Sequence, residues 1–187
     1  MAFWQENNLQ PKRSYRFTLS VKGETTGISE FLVEKVSKPS FSVGESEVKY
    51  LNHTFWYPGR VTWNDINFTI IDCLVPADAN GTAEVMRMLE KSGYNIPERG
   101  DLKTVSKASS LAALGQIKIH QYSSEGGAPM ETWVLNNAWI KDVKFGDLDY
   151  GSEDMQKIDI TLKYDNAYIQ VLDKTGTKVN LPTGAKS

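Results

Sequence analysis

Strict alternation of apolar and polar side chains is the feature that most limits what this chain can become. Between Arg13 and Val21, Tyr15, Phe17, Leu19 and Val21 alternate with Ser14, Arg16, Thr18 and Ser20. Successive side chains of an extended backbone point to opposite faces, so this pattern predicts a strand with one buried face. A second run covers 28–36 and stops at Lys38-Pro39, because proline cannot donate to a strand ladder. The segment 46–57 carries Tyr50, Phe55, Trp56 and Tyr57, and Pro58-Gly59 is expected to close it with a turn. In 60–73, Ile66, Phe68 and Ile70 alternate with Asn67, Thr69 and Ile71, which predicts one long central strand.

The period then changes. From Asn80 to Gly93, Val85, Met88 and Leu89 share one helical stripe. Asn80 or Thr82 is placed to cap the start, Glu84 and Lys91 suit the macrodipole, and Gly93 suits the left-handed position after the end. Residues 94–107 read as a polar loop, and 109–114 as a short helical turn stopped by Gly115. Alternation returns in 116–122, in 130–145 with a break near Asn136-Asn137, and in a final strand over 157–168. The polar stretch 173–187 is expected to be a mobile tail. No composition break divides the 187 residues. The expected fold is therefore one α+β domain, mainly β, spanning 1–187 with its core over about 13–168. Its architecture is an antiparallel sandwich or barrel with one flanking helix.

Composition narrows the function classes. Twenty-one basic against 23 acidic residues give a net charge of −2, which disfavours a dedicated nucleic-acid binder. The N-terminal residues do not have a basic segment followed by an apolar core, so no signal peptide is expected, and no apolar run reaches the length of a membrane span. Cys73 is the single cysteine, which excludes an intrachain disulfide framework and a cysteine-rich zinc site. His53 and His120 lack a nucleophile or carboxylate at a catalytic spacing and read as polar sheet residues. Asp147, Asp149, Glu153 and Asp154 are dense enough for a calcium loop. Gly151 occupies the fifth loop position and Ile158 the twelfth, however, so a solvated turn is the better reading. The sequons at Asn52, Asn67 and Asn80 read as coincidental. No catalytic residue, cofactor-binding residue or metal ligand is assigned, and no cofactor is expected.

The aromatics are more numerous than one small sheet core needs: five Trp, eight Tyr and seven Phe. Phe55-Trp56-Tyr57 with Tyr50 lies in a segment that looks like a hairpin tip or an extended arm, and Phe3-Trp4 lies in a polar N-terminal stretch. Core packing beneath loops, burial in a neighbouring subunit and a carbohydrate-stacking platform all remain open for these six residues.

Taken in order, these elements resemble those of the tail tube proteins of contractile-tailed bacteriophages and the related inner-tube proteins of contractile injection systems. The resemblance is carried by Arg13 to Val21, Phe31 to Phe41, Ser46 to Arg60, Val61 to Ile70, Thr82 to Gly93, Trp139 to Tyr150 and Gln156 to Asp165. The aromatic-Gly-Asp-Leu-Asp turn at 145–149 is its most specific part. The resemblance implies a non-enzymatic structural subunit that contributes strands to a hollow tube of stacked homohexameric rings. It implies Tyr50, Phe55, Trp56, Tyr57, Phe3 and Trp4 as subunit-interface residues. The implied partners are further copies of itself, a sheath protein, and baseplate and tail-terminator proteins. DNA would pass down the lumen without specific binding. The implied setting is a virion assembled in the host cytoplasm, without stable membrane association. An injection-device or type VI secretion tube is the near alternative, and a β-sandwich carbohydrate-binding module the distant one.

Overall fold

The structure is a computed structural model that describes residues 11–22, 27–28, 32–73, 81–96, 104–123, 127–172 and 178–182. Its first strands are β1 (Phe17–Lys22), β2 (Gly27–Ile28), β3 (Val33–Val36), β4 (Phe41–Tyr50), β5 (His53–Trp63) and β6 (Ile66–Ile71). Two helices follow, α1 (Gly81–Lys91) and α2 (Lys107–Leu114). The remaining strands are β7 (Gln116–Gln121), β8 (Glu131–Asn136), β9 (Trp139–Lys144), β10 (Lys157–Lys163), β11 (Asn166–Leu172) and β12 (Lys178–Leu181).

The strands form a six-stranded sheet in the order β12-β11-β8-β7-β1-β2, a four-stranded sheet in the order β3-β6-β10-β9, and a separate β4-β5 ribbon. All of these pairings are antiparallel. The mainly β, α+β architecture matches the expectation. Among the described residues the sheets stay open rather than closing into a barrel.

Alternation decides which face each sheet buries. In the smaller sheet Ile66, Phe68 and Ile70 of β6 lie opposite Leu162, Ile160 and Ile158 of β10. All six are buried. The larger sheet answers with Leu19, Val21, Ile117, Ile119 and Leu135, and the two sets form one core. Burying each such side chain is worth about 1.5–3 kcal/mol, which is what holds the sheets face to face.

Helix α1 adds Val85 and Met88 to this core, with Leu89 packed against it. Its start is held by Asp72, whose carboxylate accepts the Thr82 N–H at 3.2 Å and the Thr82 hydroxyl at 2.7 Å. A negative charge there also suits the helix dipole. Asn80, the other cap expected from sequence, lies outside the described residues. After the helix, Gly93 has φ +103°, and a Cβ there would stand 2.5 Å from the Thr104 carbonyl oxygen, so only glycine fits.

Several expectations are corrected. Among the described residues there are two helices rather than one. The short turn foreseen at 109–114 belongs to α2, which Ser106 caps by accepting the Ser109 N–H at 3.1 Å. The 28–36 run splits, with β2 pairing with β1 in the larger sheet and β3 with β6 in the smaller. The foreseen strand over 60–73 breaks at Asn64-Asp65: its first part belongs to the ribbon strand β5, and only its second part, β6, is a central strand of the four-stranded sheet. The foreseen strand over 157–168 breaks at Tyr164-Asp165, and its halves also join different sheets. The break near Asn137 is where the sequence placed it, at φ +57°, and it too sends the chain from one sheet to the other. Part of the foreseen tail is ordered: β12 pairs with β11 as an edge strand. Residues 173–177 and 183–187 of that tail lie outside the described residues.

Candidate assembly interface

The β4-β5 ribbon is the region that the core leaves unused. Its longer strand has 11 residues, so the ribbon reaches roughly 35 Å. Every residue from Phe41 to Thr62 is exposed. The turn at its tip is Leu51-Asn52, with Leu51 at φ +52°. Pro58-Gly59, expected to be a turn, instead lies within β5 opposite a register shift at Val43–Glu45. A Cβ on Gly59 would stand 3.0 Å from the Gly44 backbone, a close approach that a glycine makes without displacing its neighbour. Pro58 is tolerated because a ribbon edge leaves alternate N–H groups facing solvent.

Register separates the aromatics onto two faces. Val48 lies opposite Phe55, Tyr50 opposite His53, and Ser46 opposite Tyr57. These pairs share one face, which is therefore dominated by Val48, Tyr50, Phe55 and Tyr57. Glu47 lies opposite Trp56, and Glu45 opposite Pro58, on the other face. The Glu47 carboxylate is 2.9 Å from the Lys49 ammonium. Tyr50, Phe55 and Tyr57 are thus brought together, and Trp56 is turned away from them. Phe3 and Trp4 lie outside the described residues. Val48 and Leu51 were not singled out from sequence. Continuing the alternation through 46–57 would have found Val48, whereas Leu51 gives no signal until the turn is located.

The ribbon is rooted firmly. Trp63, half-buried, stacks edge-on against Phe41 at 5.2 Å and lies 5.9 Å from the ring of Tyr164. The Asn64 N–H donates to the Ser40 carbonyl at 2.9 Å. Lys163 donates to the Trp63 carbonyl at 3.3 Å and to Asp65 at 2.8 Å, and Lys141 donates to the other Asp65 oxygen. These lysines hold the Asp65 carboxyl below its ordinary value. Burial pushes the Tyr164 phenol up.

The other candidates from sequence lie apart from one another. His53 is exposed on the ribbon beside Tyr50. His120 Nδ1 is 2.9 Å from the Thr132 hydroxyl, and Cys73 is half-buried. Asp147, Asp149, Glu153 and Asp154 are exposed, and Asp149 accepts the Gly151 N–H at 2.9 Å in a local turn. Among the described residues no three His, Cys, Asp or Glu side chains gather as a metal ion would need. A cavity of about 650 Å³ opens between β1 and β3 over Phe17, Val33, Val36, Ile119 and Trp133. Beside it Glu131 is the one buried carboxylate among the described residues. Burial raises its pKa, but hydrogen bonds from Lys12, Lys38 and the Trp133 indole outweigh burial and bring it down to about 2.

No protein-family model matches the chain. Solved structures do. A chain of the PVC sheath/tube terminator of an extracellular contractile injection system, in its extended state, superposes with TM-score 0.64 and 22% identity over 88% of this chain and 99% of that one. A chain of the anti-feeding prophage tube-terminating cap gives TM-score 0.62 and 19% identity over 91% and 99%. A chain of the PVC sheath-tube complex gives 0.60 and 22% over 91% and 99%. These neighbours are structural parts of tube and terminator assemblies rather than enzymes. At such identities the likeness is one of fold. The chain shares the fold of these chains from contractile injection systems.

Proposed function

We propose that the chain is an inner-tube subunit of a phage-like contractile injection system, and that it self-associates into six-fold rings stacked as a hollow tube. The observation that carries this reading is the β4-β5 ribbon. A hairpin about 35 Å long that is exposed on both faces, one of them lined by Val48, Tyr50, Phe55 and Tyr57, is an aggregation hazard in a monomer and a binding arm in an assembly. The open edges of both sheets point the same way, since unpaired edge strands are completed by neighbours. Contacts between unlike patches of identical copies close into rings where the rotation allows and extend into filaments where it does not. A tube uses both.

The partners follow from this reading: more copies of the chain, a sheath around the tube, and a terminator and a baseplate at its ends. The similar chains come from extracellular contractile injection systems and an anti-feeding prophage, which supports an injection device ahead of a phage tail that conducts DNA. The subunit acts as rod and conduit, and the chemistry lies in association.

Negative-stain electron microscopy with light scattering on the purified full chain tests this. Rings or hollow tubes are expected as concentration rises. A stable monomer at high concentration that binds oligosaccharide would overturn the reading and return the aromatic face to a carbohydrate platform.

A further inference from the structure

Two exposed patches among the described residues carry opposite charge. The β9–β10 loop contains Asp147, Asp149, Glu153 and Asp154, with no lysine or arginine between Gly146 and Gln156. Among the described residues none of these four carboxylates is in a salt bridge. Leu148, Tyr150 and Met155 in the same loop are exposed, and Tyr150 is fully so, at 112%. Apolar side chains held in water among unpaired charges are the composition of a docking segment rather than of a solvated turn.

The opposite patch is a pocket of about 270 Å³ lined by Lys12, Arg13, Tyr15, Arg16, Tyr122 and Met130, among others. The Arg16 guanidinium lies 5.5 Å from the centre of the Tyr15 ring and donates to the Ser123 carbonyl at 2.9 Å. Lys12 and Lys38 both bond Glu131, the one acid beside them among the described residues. Lys12, Arg13 and Arg16 line the pocket and Lys38 lies beside it, so among the described residues four bases stand near one acid and leave a positive surplus.

The patches lie at opposite ends. Gln156, which ends the acidic loop, accepts the Asp72 N–H at 2.9 Å just beyond the C-terminal end of β6. Lys38 follows β3, which runs antiparallel to β6, so it lies at the N-terminal end of β6. From there it reaches Gln121 and Glu131, where β7 ends and β8 begins beside the pocket.

We infer that the acidic β9–β10 loop of one copy docks in the basic, tyrosine-lined pocket of the next copy, with Tyr150 seated on the Arg16–Tyr15 stack. This inference rests on the self-association reading and adds the contact that joins head to tail. The surfaces are unlike and lie at opposite ends, so the contact is heterologous and repeats from copy to copy. Charge complementarity sets its register, and the tyrosine supplies its desolvated anchor.

The experiment is a charge swap in the full chain. One variant carries Asp147→Lys with Asp149→Lys, the other Arg13→Glu with Arg16→Glu, and assembly is followed by light scattering and electron microscopy beside the unaltered protein. Each variant alone places like charges at the contact and is expected to raise the assembly threshold about tenfold or more. An equimolar mixture restores the wild-type threshold, because each variant's altered end then meets a partner of opposite charge. Either variant assembling like wild type, or a mixture that stays apart, overturns the inference. Tyr150→Ala is the second probe. A fully exposed side chain carries no folding role, so the expected loss of about tenfold in assembly is not a folding defect, and wild-type assembly by this variant also overturns the inference. If the unaltered protein itself never assembles, the self-association reading fails first and takes this contact with it.

Discussion

Phe55→Ala combined with Tyr57→Ala tests the ribbon most directly. A fully buried aromatic side chain hides about 200 Å². Phe55 and Tyr57 are 51% and 56% exposed in the isolated chain, so each has roughly 100 Å² left for a partner to cover. At about 25 cal/mol per Å², that is roughly 2.5 kcal/mol for each ring. Reorganisation of the free arm lowers the return, and about 2 kcal/mol per residue, or about 30-fold in affinity, is the working figure. The two together should raise the assembly threshold by several hundredfold or more, because the contact recurs at every subunit. Sedimentation velocity across a concentration series reads this as persistence of the monomer. The monomer's own melting midpoint should move by no more than about 1 °C, because neither side chain belongs to the core. A threshold within threefold of wild type would refute the reasoning, since the aromatic face would then be unburied in the assembly.

Three other outcomes are expected. Trp56→Ala should also block tube formation while leaving the monomer folded, and normal tubes would mean that only the Phe55 face of the ribbon is covered. Trp63→Ala, at the root between Phe41 and Tyr164, should cost about 3–5 kcal/mol in urea unfolding, because it empties a packed aromatic site. Acid titration of stability should show the contribution of Glu131. Its folded pKa lies below the ordinary 4.5, so its stabilisation is present at neutral pH and is lost as pH falls from about 4.5 towards about 2. Glu131→Gln should flatten that part of the curve, and an unchanged acid limb would show that the lysine pair does not stabilise the fold.

The strands of the core were legible because alternation is local. Ile66, Phe68 and Ile70, or Ile158, Ile160 and Leu162, declare their buried face without reference to any other part of the chain. Helix α1 was legible for the same reason, through the stripe of Val85, Met88 and Leu89. Helix α2 was seen only as a turn, because Lys107 to Leu114 carries a weak apolar stripe and owes its start to Ser106. The Pro58-Gly59 pair misled for a related reason. The same dipeptide serves a turn or the edge of a ribbon, and only pairing with Gly44 and Glu45 distinguishes them.

What the sequence by itself determined is the set of segments that are extended, the face each buries, and the surplus of aromatics that the core cannot absorb. Only the tertiary structure decided which sheet each strand joins. The chain crosses between the six-stranded and four-stranded sheets after β2, β6, β8 and β10, and nothing local at Asn137 or at Tyr164-Asp165 distinguishes a crossing from a hairpin. Register in turn decided that Tyr50, Phe55 and Tyr57 share a face while Trp56 opposes them, and topology placed, among the described residues, an exposed acidic loop at one end of the sandwich and a cluster of bases at the other. The physical reason is one of range. Side-chain direction is fixed by a residue's own backbone, whereas the partner of a strand, and the neighbour of a charge, is chosen by segments tens of residues away.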